Sequence, residues 1–172
     1  MRLLTNKHIL LGVTGGIAAY KACELIRQLQ DRGAVVRVVM TNAAQAFITP
    51  LTLQALSGSS VHCDFLEATS EAAMDHIELA RWADLILIAP TTADCMARLA
   101  NGRADDLLTT LCLATEACIA IAPAMNQAMW NDISTQRNLQ TLIDKKVIIF
   151  GPNTGTQACG DIGPGRMLEP EE

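Results

Sequence analysis

Four short runs in this 172-residue chain are apolar almost along their whole length instead of alternating: KHILLGV at 7–13, AVVRVVM at 34–40, DLILIA at 84–89 and CIAIA at 118–122. A strand with one wet face alternates polar and apolar residues; a strand covered on both faces has no reason to. Helical signals fill the gaps between these runs. Residues 17–30 are amphipathic and stop at Gly33, and Thr41-Asn42 opens a short helical piece reaching Phe47. Thr49 and Pro50 supply an N-cap and a first-turn proline for a helix at 51–56 that ends at Ser57-Gly58. A short strand around Val61-His62-Cys63 leads into a polar, alanine-rich connection. Pro90 and Pro123 close the third and fourth apolar runs, helices are expected at 95–100 and 105–114, and Ser134 caps a helix running to Asp144. A last strand spans 147–150. This alternation predicts one α/β domain over residues 1–172, a doubly wound (Rossmann-like or flavodoxin-like) parallel sheet with helices on both faces.

Half of the residues are hydrophobic and 18% are charged, so the chain buries a dense core and hides some apolar surface between subunits. A net charge of −5 argues against nucleic acid or an anionic membrane as the main partner. No run approaches the roughly 20 apolar residues of a membrane span. The six cysteines form no C-x-x-C pair and have no histidine at ligand spacing, which speaks against a disulfide framework or a metal site and for a cytoplasmic protein with reduced thiols.

In doubly wound sheets, ligands sit beyond the carboxyl ends of the strands. Five stretches follow strands and converge on that rim: Thr14-Gly15-Gly16, Thr41-Asn42-Ala43, Thr91 to Asp94, Pro123 to Asn126, and the segment after residue 150. The first looks like a phosphate loop, although it matches neither G-x-G-x-x-G nor G-x-x-x-x-G-K-[ST]; a plain tight turn is the other reading. No carboxylate stands at the end of the second apolar run, where a dinucleotide site holds its ribose, so a mononucleotide such as FMN fits better than NAD.

Residues 151–167 (GPNTGTQACGDIGPGRM) hold five of the eleven glycines and two of the six prolines, together with Cys159. So permissive a backbone is expected to form a mobile surface loop and not a strand. The cysteine is then either incidental or chemical. His76 lies between the carboxylates of Asp75 and Glu78 and reads either as a solvated surface residue or as an oriented base. His8 and His62 read as structural. Asn126 reads either as a helix cap or as a donor to a substrate carboxylate.

Taken together, Gly12-Val-Thr-Gly-Gly-Ile-Ala-Ala-Tyr-Lys21, Asp75-His-Ile-Glu78, Ala89-Pro-Thr-Thr-Ala-Asp94, Pro123-Ala-Met-Asn-Gln-Ala-Met-Trp130 and Ala158-Cys-Gly-Asp161 resemble the homo-oligomeric flavin-containing cysteine decarboxylases. The resemblance covers essentially the whole chain. It is strongest to the phosphopantothenoylcysteine decarboxylase domain of the bacterial bifunctional coenzyme A biosynthesis flavoproteins. It implies FMN as cofactor, held by Gly15, Gly16, Ile17, Thr41, Ala43, Thr92, Ala93 and Asp94. It implies 4′-phospho-N-pantothenoylcysteine as substrate, touched by Asn126, Met129, Ala158, Gly160 and Asp161. His76 is then the active-site base, Asn126 binds the substrate carboxylate, Cys159 acts in the reductive half, and 151–167 is a substrate lid. Trimers or dodecamers with flavin at subunit interfaces are implied too, as is a fused or separate phosphopantothenate–cysteine ligase.

The chemistry agrees with that assignment. Losing CO₂ from a cysteine carboxylate leaves a carbanion that needs an electron sink, which a flavin creates. Two-electron oxidation at the Cβ–S bond gives a thioaldehyde, decarboxylation gives an ene-thiolate, and return of hydride and proton yields 4′-phosphopantetheine with no net redox change. Two alternatives share the fold: a peptidyl-cysteine decarboxylase, disfavoured by Ala158-Cys-Gly-Asp161, and a non-catalytic regulatory flavoprotein, disfavoured by the joint presence of His76, Asn126 and Cys159. A flavin prenyltransferase would leave Pro123 to Asn126 and His76 unexplained.

Overall fold

The computed structural model describes residues 3–63 and 72–172, with the side chains of 72–75 excepted. Six strands form one parallel sheet in the order β3-β2-β1-β4-β5-β6: β1 (His8–Val13), β2 (Val35–Met40), β3 (Val61–His62), β4 (Leu85–Thr91), β5 (Cys118–Pro123) and β6 (Ile148–Ile149). The expected doubly wound sheet is therefore present. The helices are α1 (Lys21–Asp31), α2 (Pro50–Ser57), α3 (Ala72–Trp82), α4 (Ala93–Ala100), α5 (Leu107–Ala114), α6 (Gln127–Asn131) and α7 (Ile133–Asp144), with single 3₁₀ segments at Ile17–Tyr20 and Asn42–Ala46.

Two apolar layers flank the sheet. Ile9, Leu11, Val13, Val36, Val38 and Met40 face Ile26 and Leu53 on one side. On the other, Leu10, Ile86, Ile88 and Ile121 face Met96, Leu108, Leu111 and Leu142. Each such side chain, fully withdrawn from water, contributes about 1.5–3 kcal/mol. Gly12 lies under α5 so closely that a Cβ there would come within 2.6 Å of a Leu108 methyl. At the opposite end of the sheet from the rim, His8 stacks on Trp82 at 4.6 Å and Arg37 covers the same indole at 4.5 Å. That accounts for His8 as a structural residue.

The chain departs from the sequence reading in four places. The connection after β3 falls outside the described residues over 64–71, but from Ala72 to Trp82 it is helical. Its apolar residues Leu79, Ala80 and Ala83 pack beneath α5, so tertiary burial organises a stretch whose composition looked like a linker. Helix α7 is capped by Asp132, whose carboxylate accepts the Ser134 N–H at 2.8 Å; Ser134 is already inside the helix. Strand β4 continues through Pro90 to Thr91, with a register shift between Ile88 and Thr91, whereas β5 does end at Pro123. Finally, the glycine-rich segment is not a loop. It folds as an antiparallel hairpin of β7 (Asn153–Thr156) and β8 (Ile162–Arg166). Gly165 must be glycine: with φ +127 it occupies a region closed to L side chains, and a Cβ would run into the Met125 carbonyl.

Helix α5 begins with a full capping box, Asp106 accepting the Thr109 N–H at 2.7 Å while Thr109 Oγ1 receives the Asp106 N–H. Asp106→Ala is expected to lower the unfolding free energy by about 1 kcal/mol in urea titrations, with Asp106→Asn losing less because it keeps an acceptor.

Candidate active site

In this strand order the chain crosses from one half of the sheet to the other between β1 and β4, so the loops leaving these neighbours diverge and open a crevice. Thr14 holds the crevice floor. Its buried hydroxyl donates to the Pro90 carbonyl at 2.7 Å and accepts the Thr92 N–H at 3.1 Å. Thr92 in turn caps α4 through Cys95 N–H.

A cavity of about 610 Å³ rises from this floor, lined by Gly15, Gly16, Ile17, Thr92 and Ala93 below and by Asn126, Met129, Ala158 and Cys159 above. The two glycines answer different demands. Gly15 is packed on Ala43, whose Cβ would lie 2.6 Å from an added one. Gly16 is extended at φ −156, and a Cβ there would meet only a Thr92 methyl at 3.8 Å. Neither backbone nor packing requires glycine at 16, and its bare backbone lines the cavity. A planar, phosphate-bearing cofactor fits a floor of bare backbone and threonine hydroxyl.

The upper wall is made by the hairpin. Met125 N–H donates to Gly165 O at 2.9 Å, tying β8 to the end of β5. Gln157 locks the tip by accepting Gln127 N–H at 3.0 Å and donating to Pro164 O at 3.0 Å. Of the two roles its sequence left open, Asn126 fills the helix cap and keeps its amide nitrogen for other partners. Its Oδ1 accepts Ala128 N–H at 2.7 Å and caps α6, which leaves Nδ2 pointing to the tip, 3.1 Å from Asp161 Oδ2 and 3.4 Å from Cys159 Sγ. An amide donor bonded to the Asp161 carboxylate and an exposed thiol thus meet in one place.

Other expected residues stand elsewhere. Thr41 spends an oxygen lone pair on Ala44 N–H, and Ala43 backs Gly15 instead of lining the cavity. The Asp94 carboxylate is engaged by Arg98 Nε at 2.7 Å. His76, half-buried on α3, does not line the cavity of this chain, and the Asp75 side chain beside it lies outside the described residues. Among the described residues no cluster of three metal-binding side chains occurs and no helix is long and apolar enough to cross a membrane.

The protein family described as Flavoprotein matches residues 1–172. The chain belongs to the flavoprotein family. It is 62% identical over its whole length to the coenzyme A biosynthesis bifunctional protein CoaBC of Vibrio cholerae and 60% identical over 167 residues to that of Escherichia coli K12. This flavoprotein spans 43% and 41% of those two relatives. Among solved structures it is similar to a cysteine-to-serine mutant of PPC decarboxylase complexed with pantothenoylaminoethenethiol (TM-score 0.83, 32% identity, 96% of this chain and 93% of that one). It is also similar to the FMN-dependent cysteine decarboxylase SpaF (TM-score 0.84, 33% identity, 95% and 90%).

Sequence reasoning gave no role to Gln157, Lys21 or Arg166. Lys21 is 5% exposed on α1, and its ammonium donates to Met167 O and Glu169 Oε1, both at 2.9 Å, and to Leu168 O at 3.5 Å. These contacts span almost the whole chain length, so no local spacing announces them. Lys21 and then Arg166, through their hydrogen bonds, hold the Glu169 carboxyl below its ordinary range. A lowered folded-state value means that the unfolded chain binds the proton more readily. The contribution is therefore present above the unfolded glutamate pKa, about 4.3, and disappears as pH falls through the folded value. The melting-temperature gap between the unsubstituted flavoprotein and Glu169→Gln is expected to be full at pH 7 and to close below about pH 4.

Proposed function

We propose that this flavoprotein binds FMN and decarboxylates 4′-phospho-N-pantothenoylcysteine to 4′-phosphopantetheine and CO₂, the decarboxylase step of coenzyme A biosynthesis. The observation that carries the reading is the meeting of Asn126 Nδ2 and Cys159 Sγ at 3.4 Å above a glycine-floored cavity. The CoaBC relatives and the PPC decarboxylase neighbour support it from outside.

FMN, when bound, supplies a reversible two-electron sink at the thiol-bearing carbon. Gly15, Gly16, Ile17, Thr92 and Ala93 would hold it, with Thr41, Ala43 and Asp94 at the margin. Asn126 orients the substrate by donating Nδ2–H to its carboxylate, a group it already offers to Asp161. His76 accepts a proton during the oxidative half. Cys159, exposed on the hairpin tip, donates its thiol proton to carbon in the second half. The tip, with Met129, Ala158, Gly160 and Asp161, closes over the substrate as a lid and excludes water.

His76 reaches the site from a second copy of the chain. What supports this is its place outside the cavity together with Ile17, Tyr20 and Met129, apolar side chains that line the cavity yet are 64%, 62% and 50% exposed in one copy. Trimers, or dodecamers built from them, would cover that surface. A phosphopantothenate–cysteine ligase region, fused or separate, is the expected partner, and the cytoplasm the expected compartment.

Purified with FMN, the protein should be yellow and release CO₂ from the substrate; a preparation that binds no FMN, or that acts only on peptides ending in cysteine, refutes the reading. His76→Asn is expected to abolish bleaching of the flavin absorbance by substrate, a loss of at least about 10²-fold in rate. Cys159→Ala should still release CO₂ but accumulate the oxidised, unsaturated thiol, visible by mass spectrometry two hydrogens lighter than 4′-phosphopantetheine.

A further inference from the structure

Among the described residues the cavity is lined by backbone, apolar groups, amides, hydroxyls and one thiol, and by two cations, Lys21 and Arg166. A substrate carrying a terminal phosphate dianion needs a cationic partner that still has donors to give. Lys21 has none left. Its ammonium has three N–H groups and three acceptors within reach, Met167 O, Leu168 O and Glu169 Oε1, and it is buried.

Arg166 is differently placed. Its guanidinium carries five donors, and it is bonded through Nη2 to Glu169 Oε1 at 2.6 Å. Its side chain is 46% exposed. The acceptor it uses is the same oxygen that Lys21 binds, so Arg166 can leave Glu169 without stranding that carboxylate. Glu172, the other acid nearby, is turned to Asn153 Nδ2 and the Glu169 N–H. Gly155 keeps the facing strand clear, since a Cβ there would stand 3.3 Å from Arg166 Nη1. An exposed ion pair of this kind is weak and exchangeable.

Length fits as well. Arg166 pairs with Asn153 at the base of the hairpin, whereas Cys159 and Asp161 sit at its tip. Four strand steps from Ile162 to Arg166 cover about 14 Å. In 4′-phospho-N-pantothenoylcysteine about 12 bonds separate the carboxyl carbon from phosphorus, equivalent to about four extended residues or about 14 Å.

We propose that Arg166 is the phosphate-recognising residue of the site and sets its preference for a phosphorylated over an unphosphorylated pantothenoylcysteine. This rests on the decarboxylase reading above. The bound phosphate has two conceivable owners, substrate and FMN, and the test separates them. Steady-state kinetics of the FMN-loaded protein with phosphorylated and dephosphorylated substrate give the preference as a ratio of kcat/KM values. Arg166→Ala is expected to lower that ratio about 10- to 100-fold, mainly through KM, the range of a hydrogen bond to a charged group. Arg166→Lys should recover part of it by keeping charge without the planar fork. In parallel, titration of apoprotein with FMN and with riboflavin, followed by quenching of flavin fluorescence, should show both affinities changed by the same factor in Arg166→Ala. Selective loss of FMN affinity would assign the arginine to the cofactor and overturn the proposal. Equal loss on both substrates, with the ratio unchanged, would overturn it in favour of a structural role. Turnover of neither substrate by the unsubstituted protein would remove the decarboxylase reading, and this proposal with it.

Discussion

One hydroxyl joins the two loops that part at the centre of the sheet. Thr14 Oγ1 donates to Pro90 O and accepts from Thr92 N–H, and it is 2% exposed. Loops that diverge at a switch point would otherwise leave backbone groups unpaired in a crevice, which is costly. By satisfying one carbonyl and one amide together, Thr14 fixes the spacing of Gly15-Gly16 relative to Thr92-Ala93. Everything that lines the lower cavity depends on this spacing. Replacing the hydroxyl by a methyl would remove both bonds without relieving the demand for them.

The hairpin builds the upper half from the opposite kind of material. Strands rich in glycine pair weakly, because they lose much entropy and pack little surface. Here the deficit is offset by tethers outside the ladder. Met125 N–H reaches Gly165 O, Gln157 bridges Gln127 and Pro164, and Lys21 grips Met167, Leu168 and Glu169. The base of the arm is thus tied to α1, while the tip carries its functional groups exposed. The tip itself is held by side chains, Gln157 to Gln127 and Pro164 and Asn126 to Asp161, so its position depends on amide contacts outside the strand ladder.

This division also explains what could be read from sequence. The buried strands and the residues just after them follow from uninterrupted apolar runs, so Gly15, Gly16, Thr92, Ala93 and Asn126 come out on the cavity. Ala43, Thr41 and Asp94 share those strand ends but turn to neighbouring packing, capping and ion pairing, distinctions that periodicity does not carry. The hairpin is not legible because glycine and proline signal a turn locally, whereas here the Met125 carbonyl, two residues beyond β5, forbids a side chain at Gly165. Helix α3 was missed because its partner α5 lies about 35 residues away, as the bond from Thr115 Oγ1 to Ala80 O shows. Lys21 and Arg166 were invisible for the same reason: their importance is set by a tail distant in sequence.

Position, and not the mere presence of thiols, sets Cys159 apart from the other cysteines. Cys95 and Cys112 lie in the layer beneath the sheet, where desolvation pushes both thiols up, Cys112 to about 12. Such thiols stay protonated and inaccessible at neutral pH and behave as small apolar side chains. Cys23, partly buried on α1, is also raised by desolvation. Cys118 is exposed but begins β5, at the amino end of the sheet and so away from the rim. Cys159 alone among these combines exposure, a place on the cavity wall and an amide donor, Asn126 Nδ2, at its sulfur. The amide that caps α6 through its oxygen thus touches the Cys159 sulfur through its nitrogen, which couples the helix start to the hairpin tip.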